Sequence, residues 1–360
     1  MSDPVFIIAE AGVNHNGDMG LARQLVDVAV DAGADAVKFQ TFKADQLVSR
    51  QAPKAEYQLQ TTRQEESQFE MINRLELSET DHEALISHAQ SRSITFLSTP
   101  FDSSSLQLLT KRFELKTIKI PSGDITNLPF LLEIARAAPK VIMSTGMSTL
   151  AEVEIALSVL AYGFTVPSDA TPKREDFAEC FASDEGQKAL QGRVTVLHCT
   201  SEYPAPAAEV NLRAMDAISA AFGLPVGYSD HTTGIHVSLA AVARGARILE
   251  KHFTLDRNLP GPDHGASLEP GELAEMVRGV RDIEQALGDG GKRPAPSEWK
   301  NRDTVRQSLV AGTPIKAGEL FTEANVVCKR PGTGLSPSAY WDLLGQAADR
   351  DYDADELLDG

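Results

Sequence analysis

Two histidines, two lysines and a set of hydroxyls carry most of the chemistry this sequence can perform. His231 and His252 stand too far apart for a local metal-binding loop. If they end neighbouring parallel strands, however, they share one mouth. Neutral imidazole suits Mn, Fe, Co or Zn, and two such ligands leave positions for a substrate oxygen and water. The alternative is that both rings hydrogen-bond loop backbone, and spacing does not separate the two readings. Lys38 and Lys119, with Thr99, Ser122, Ser201, Ser229 and the glycine of PSGD, have the make-up of a phosphate or carboxylate pocket. The other reading pairs each lysine with a carboxylate such as Glu10 or Asp124. Those two carboxylates are the acid/base candidates, and nearby cations would favour a base or an orienting group. Asp263, in GPDH, either joins them or forms a turn.

An anion pocket needs a local cationic cluster here, because the 360-residue chain carries a formal net charge of −17. That balance argues against a nucleic-acid or anionic-membrane partner. Hydrophobic residues at 42% and charged residues at 24% suit an ordinary globular protein with a sizeable core. Cys180, Cys199 and Cys328 lie far apart and fit neither a CxxC site nor a disulfide framework. The opening MSDPVFIIAEAG reads as a strand rather than a signal peptide, and no run reaches the roughly 18 apolar residues of a membrane helix. A cytoplasmic location is expected.

The elements that must position these side chains alternate strand and helix. Strands are expected over 5–9, 36–40, 94–98, 117–120, 141–144, 194–199, 225–228 and 247–251. Helices are expected over 19–32, 80–91, 104–112, 128–137, 149–161, 212–221, 235–244 and 270–287, the fifth opened by a capping box of Thr149 and Glu152. Residues 42–67 read as a long polar loop with the character of a lid, and 163–192 as a polar insertion with a short helix around 175–182. Eight such units describe a (β/α)8 TIM barrel, whose strand C-termini gather the active site. The rival, a doubly wound sheet, would place GxGxxG after its first strand, where this chain has AEAGVNHNGD. The division is a catalytic barrel over 1–287, a Gly/Pro-rich linker over 288–303 and a small module over 304–360.

With these residues assembled, the sequence resembles the sialic acid synthase family across essentially its whole length. The segments that carry the resemblance are IIAEAGVNHNGD, VKFQTFKA, FLSTPFD, KIPSGD, MSTGMST, LHCTSEYPAP, GYSDHTTGI, LEKHFTLD and PGPDHGASLEP, then KRPGTGLSP in the tail. The resemblance implies a transferase that condenses phosphoenolpyruvate with an N-acylated mannosamine and water, giving a nine-carbon 2-keto acid and phosphate. It implies a divalent metal on His231 and His252, with manganese expected and magnesium or cobalt as substitutes. Lys38, Thr99, Lys119, Ser122 and Ser229 match the family's phosphoenolpyruvate pocket, and Ser201 stands at a position where members vary. Glu10, Tyr203 and Asp263 match residues around sugar and metal, whereas Asp124 stands where Glu is frequent. The tail resembles the family's antifreeze-like (SAF) module, which covers the partner's barrel mouth in a domain-swapped homodimer, and Arg330 matches the arginine that reaches the N-acyl group.

N-acetylneuraminate synthase is the first reading. The alternative is N,N'-diacetyllegionaminate synthase acting on 2,4-diacetamido-2,4,6-trideoxymannose, since KADQLVSRQAPKAEYQ and EYPAPAAEVNL resemble legionaminate-type members equally. A heptulosonate or octulosonate synthase would need a second phosphate site. An inactive carbohydrate-binding barrel is the reading from a different class.

Overall fold

The computed structural model describes residues 3–62 and 65–359. The chain divides into two compact units, Met1–Gly288 and Asp289–Gly360.

The first unit opens with β1 (Phe6–Gly12), α1 (Met19–Asp31), β2 (Ala36–Thr41), α2 (Ala44–Leu47), α3 (Glu56–Thr61), α4 (Gln68–Leu75) and α5 (Glu79–Ser91). It continues through β3 (Thr95–Pro100), α6 (Ser103–Gln107), β4 (Thr117–Ile120), α7 (Leu128–Ala137), β5 (Lys140–Ser144) and α8 (Leu150–Thr165). Then come α9 (Arg174–Ala182), α10 (Asp184–Arg193), β6 (Val194–Cys199), α11 (Ala214–Phe222), β7 (Val226–Asp230), α12 (His236–Ala243), β8 (Ile248–His252) and α13 (Pro270–Leu287). The strands are parallel in the order β3-β2-β1-β8-β7-β6-β5-β4, and β3 lies beside β4 to close the ring. This is the TIM barrel.

Strand periodicity sorts the barrel interior into storeys. Ile8, Ala36, Leu97, Ile142, Leu197 and Ile248 form an apolar floor. Side chains two residues further along a strand point the same way. The next storey is therefore Glu10, Lys38, Thr99, Ser144 and Glu250, with Ser229 two residues beyond Gly227. Gly227 has no room for a side chain: a Cβ there would lie 2.4 Å from the Ile248 carbonyl and 2.6 Å from Leu197. Outside the ring, helices bury one apolar stripe each, as α1 does with Ala22, Leu25, Val26 and Ala29. The expected capping box opens α8, where the Glu152 N–H donates to Thr149 Oγ1 and the Thr149 N–H to Glu152.

Four expectations need correction. Strands β1, β7 and β8 run on to Gly12, Asp230 and His252, so Glu10, Ser229 and His252 sit within strands rather than just beyond them. The 42–67 stretch, apart from residues 63 and 64 outside the described set, is not one loop, because it holds α2 and α3 and leads into α4. These helices escape a periodicity reading because they are short; α4 is set instead by the reciprocal Ser67–Glu70 capping box and by burial of Met71 and Leu75. The 163–192 insertion has the short helix expected around 175–182, as α9, but α8 runs into it to Thr165 and α10 fills its end. Gly163 is a close-contact residue inside α8, since a Cβ there would meet Ala135 of α7 at 2.5 Å. The expected linker carries α14 (Pro296–Val305), begun by a proline in its first turn and by Glu298 accepting from the Ala295 N–H.

Beyond α14 the second unit contains β9 (Ser308–Ala311) paired antiparallel with β10 (Val326–Lys329), then α15 (Tyr340–Leu343). Leu309, Ile315, Phe321, Tyr352 and Leu358 form its own small core. No helix among the described residues is long and apolar enough to cross a membrane. All three cysteines are free.

Candidate active site

The polar storey above the floor is a shared-ion cluster. Lys38 Nζ lies 2.7 Å from Glu10 and 3.6 Å from Glu250, and donates to Thr99 Oγ1 at 3.0 Å. Lys119 Nζ lies 3.3 Å from the other oxygen of Glu250, which also accepts from Ser229 Oγ at 2.9 Å. The lysines do pair with carboxylates, then, but with Glu10 and Glu250 rather than Asp124. All four charged groups are buried, so their ionisation is set by one another. Burial alone would raise Glu250, yet Lys119, Lys38 and the Ser229 hydroxyl hold it well below the usual carboxylate range. Burial pushes Glu10 up to about 7; Lys38 opposes this and the Glu250 charge adds to it. Burial also pulls Lys119 below its ordinary value, with Glu250 resisting. Burial acts the same way on Lys38, but Glu10 and Glu250 outweigh it and leave that lysine raised. A buried pair of cations held by carboxylates is a prepared place for an anion.

Beside this cluster stand the histidines, from the end of β7 and from β8, with ring centroids 5.5 Å apart. The His231 Nδ1–H donates to the Thr200 carbonyl at 2.6 Å, which fixes the tautomer and leaves Nε2 free to accept, 3.4 Å from Ser229 Oγ. One nitrogen of this ring therefore serves loop backbone, and the residue lines the cavity. His252 Nδ1 is buried with no hydrogen-bond partner and lies 3.8 Å from Asp263. Burial lowers His231 to about 4 and His252 well below its ordinary value, so both rings are neutral at pH 7. Neutral, converging imidazoles, one with an orphaned nitrogen, fit a divalent ion. No group of three or more His, Cys, Asp or Glu side chains is arranged to hold a metal ion among the described residues.

Glu10, Lys38, Thr99, Lys119, Ser122, Ser201, Tyr203, Ser229, His231, His252 and Asp263 all line one cavity of about 410 Å³. Tyr203 packs its ring 4.2 Å from His231 and 5.5 Å from His252. Burial raises Asp263 to about 6, against the pull of Lys38. Ser122 Oγ accepts from the Gly146 N–H at 3.0 Å, and a Cβ on Gly146 would sit 2.2 Å from Ser201 Oγ, so this glycine keeps the hydroxyl corner open. One expected residue does not join, and another lies in the second unit. Asp124 is absent from the cavity lining; it ends a short helical turn and accepts from Asn127 Nδ2 at 3.1 Å, just ahead of α7. Arg330 belongs to the second unit, exposed just past β10.

Glu250 is the residue that sequence reasoning passed over. Its signal was parity. In β8, Glu250 and His252 face inward, whereas Lys251 faces outward, where it forms a fully buried pair with Asp230 at 3.0 Å. Asp230 is held in turn by the N–H and hydroxyl of Thr232 and by Ser238. Gln40 and Ser144 also line the cavity.

The far side of the cavity differs in kind. Phe42, Leu47, Met71, Ile72, Leu75 and Phe101 belong to an apolar cluster separate from the main core, and each also lines the cavity. All but Phe101 come from the excursion between β2 and α5.

Comparison with known proteins places these features among relatives. The model of the NeuB family matches residues 25–292, and that of the SAF domain matches residues 306–360. An N,N'-diacetyllegionaminic acid synthase of Campylobacter jejuni is 52% identical, over 98% of this chain and 98% of that protein. Another, of Legionella pneumophila, is 43% identical, over 98% and 93%. Among solved structures, an N-acetylneuraminic acid (sialic acid) synthetase from Leptospira borgpetersenii, in complex with citrate, superposes with a TM-score of 0.65. It is 33% identical and covers 83% of this chain and 90% of that one.

Proposed function

The chain belongs to the NeuB family and ends in a SAF domain, and from that premise we propose that it is a phosphoenolpyruvate-dependent N,N'-diacetyllegionaminate synthase. The observation that carries the reading is the buried Lys38–Glu10–Glu250–Lys119 cluster beside two neutral imidazoles. It is an anion site and a candidate metal site opening on one cavity. The choice of sugar departs from the first reading of the sequence, N-acetylneuraminate synthase. It is supported by the two legionaminic acid synthases at 52% and 43% identity, against 33% for the neuraminic acid synthetase.

In this mechanism Lys38 and Lys119, with Thr99, Ser122, Ser201 and Ser229, hold the phosphate and carboxylate of phosphoenolpyruvate. His231 and His252 hold the divalent ion, manganese in the first instance, which when bound supplies Lewis-acid polarisation and a template for the sugar aldehyde. C3 of phosphoenolpyruvate attacks that aldehyde carbon, and the C1 oxygen of the sugar takes up a proton to become a hydroxyl, a proton that the adding water restores in the next step. Water adds to the resulting cationic C2, the C2–O bond to phosphorus breaks, and inorganic phosphate leaves with the oxygen. Glu10, poised near neutrality and 2.7 Å from Lys38, is suited to take the proton of the attacking water. Tyr203 and Asp263 flank the sugar. Asp124 has no part in this scheme, and Arg330 enters only if a homodimer brings the SAF domain of one subunit over the barrel of another.

The test is phosphate release from phosphoenolpyruvate with Mn²⁺ and each sugar, 2,4-diacetamido-2,4,6-trideoxymannose or N-acetylmannosamine, with and without EDTA. Metal-dependent release with a higher kcat/KM for the trideoxy sugar is the expected result. A preference for N-acetylmannosamine would return the first reading, and no release with either sugar would favour a binding barrel.

A further inference from the structure

The proposed chemistry uses one side of the cavity and leaves the apolar side without a role. That side is not a leftover of the core. Val13, Phe42, Met71 and Leu75 form their own cluster, Leu47, Ile72 and Phe101 pack against it, and all of them line the cavity that holds the lysines and histidines. Apolar surface facing such a cavity is stabilised when a ligand covers it with carbon, whereas a ligand hydroxyl placed there gives up water hydrogen bonds. The two candidate sugars differ in this respect. N-acetylmannosamine carries hydroxyls at C4 and C6. The trideoxy sugar carries an acetamido group at C4 and a bare methyl at C6. Gln40 lines the cavity as well, and its amide matches the polar atoms of an acetamido group.

We propose that the wall built by the excursion between β2 and α5 is the subsite for the C6 methyl and C4 acetamido methyl of the acceptor sugar, with Leu47 and Ile72 as specificity-determining residues. The inference rests on the functional reading above. It adds that sugar choice resides in α2 and α4, away from the strand ends that handle phosphoenolpyruvate. Both residues are only partly buried, so polar replacements there disturb packing less than at Met71 or Phe42.

The test compares Ile72→Asn and Leu47→Asn with the wild-type full-length protein, in Mn²⁺, on both sugars. Discrimination by a few carbons against an apolar wall is worth on the order of 10-fold or more. Each variant should therefore lower the ratio of kcat/KM for the trideoxy sugar over N-acetylmannosamine by about 10-fold, with the KM for phosphoenolpyruvate within about two-fold of wild type. An equal fall on both sugars in both variants would mean the wall only supports packing, and would overturn the subsite while leaving the synthase reading intact. A wild-type protein that releases no phosphate with either sugar would overturn the synthase reading, and the subsite with it.

Discussion

One cavity has two walls built by different physics. The strand-end wall holds four buried charges that neutralise each other, so its worth lies in electrostatic readiness and it is costly to leave unpaired. The wall from α2 and α4 holds no charge; its worth lies in shape and in area removed from water. The first wall is contributed by strands around the whole barrel and is fixed by ladder register. The second comes almost entirely from one excursion of chain. A reaction shared among related enzymes suits the first construction, and a choice among similar sugars suits the second.

Substitutions can break this contrast or sharpen it. The largest loss is expected at the histidines. His231→Ala or His252→Ala should reduce metal-dependent phosphate release by about 10³-fold or more and weaken Mn²⁺ binding measured directly by electron paramagnetic resonance. Full activity in either variant would remove the metal assignment. Lys119→Met should lower kcat/KM for phosphoenolpyruvate by about 10²–10³-fold and leave the preference between sugars unchanged; a shift in sugar preference would show that the walls are not separate. Met71→Ala should do the reverse. Its side chain is 1% exposed, so removing it should cost about 3 kcal/mol of stability in denaturant titration, while the KM for phosphoenolpyruvate stays within about two-fold.

The smallest effect is a pH slope. Glu10 is raised from 4.5 to about 7 in the folded protein, so between those values the native state binds more protons than the unfolded state. Stability should therefore fall as pH rises through that window and level off above it, by roughly 1–2 kcal/mol after dielectric relaxation. Glu10→Gln should flatten this slope in thermal melts of the metal-free protein and remove an activity limb that rises through about pH 7. A slope unchanged by Glu10→Gln would shift the proton to another group, with Asp263, raised to about 6, the next to replace.

The strand-end wall was the legible one. Parallel strands buried on both faces leave apolar runs, and the polar residue that ends each run marks the mouth, which is why Lys38, Lys119, His231 and His252 stand out in sequence. Glu250 did not, because it is flanked by Lys251 and His252, and only pleat parity separates the inward pair from the outward lysine. Asp124 read as a mouth residue because it follows a strand, but the helical turn at Ser122–Asp124 leaves its carboxylate with Asn127. The apolar wall was not legible at all. Its helices are too short for a period, and what orders them is capping at Ser67 and side-chain packing between α2, α4 and the residues ending β2 and β3.

The alternation in β8 gives the chain something like a reading frame. Gain or loss of one residue within Ile248–His252 would leave its composition almost untouched, yet would carry Lys251 into the barrel and expel Glu250 and His252. The lysine would then meet Lys38 and Lys119, and Asp230 would be left buried without its cation. A change of length in that five-residue strand thus does more damage than a change of most of its side chains. The excursion between β2 and α5, tied to no ladder, can lengthen or shorten without shifting the register of any strand.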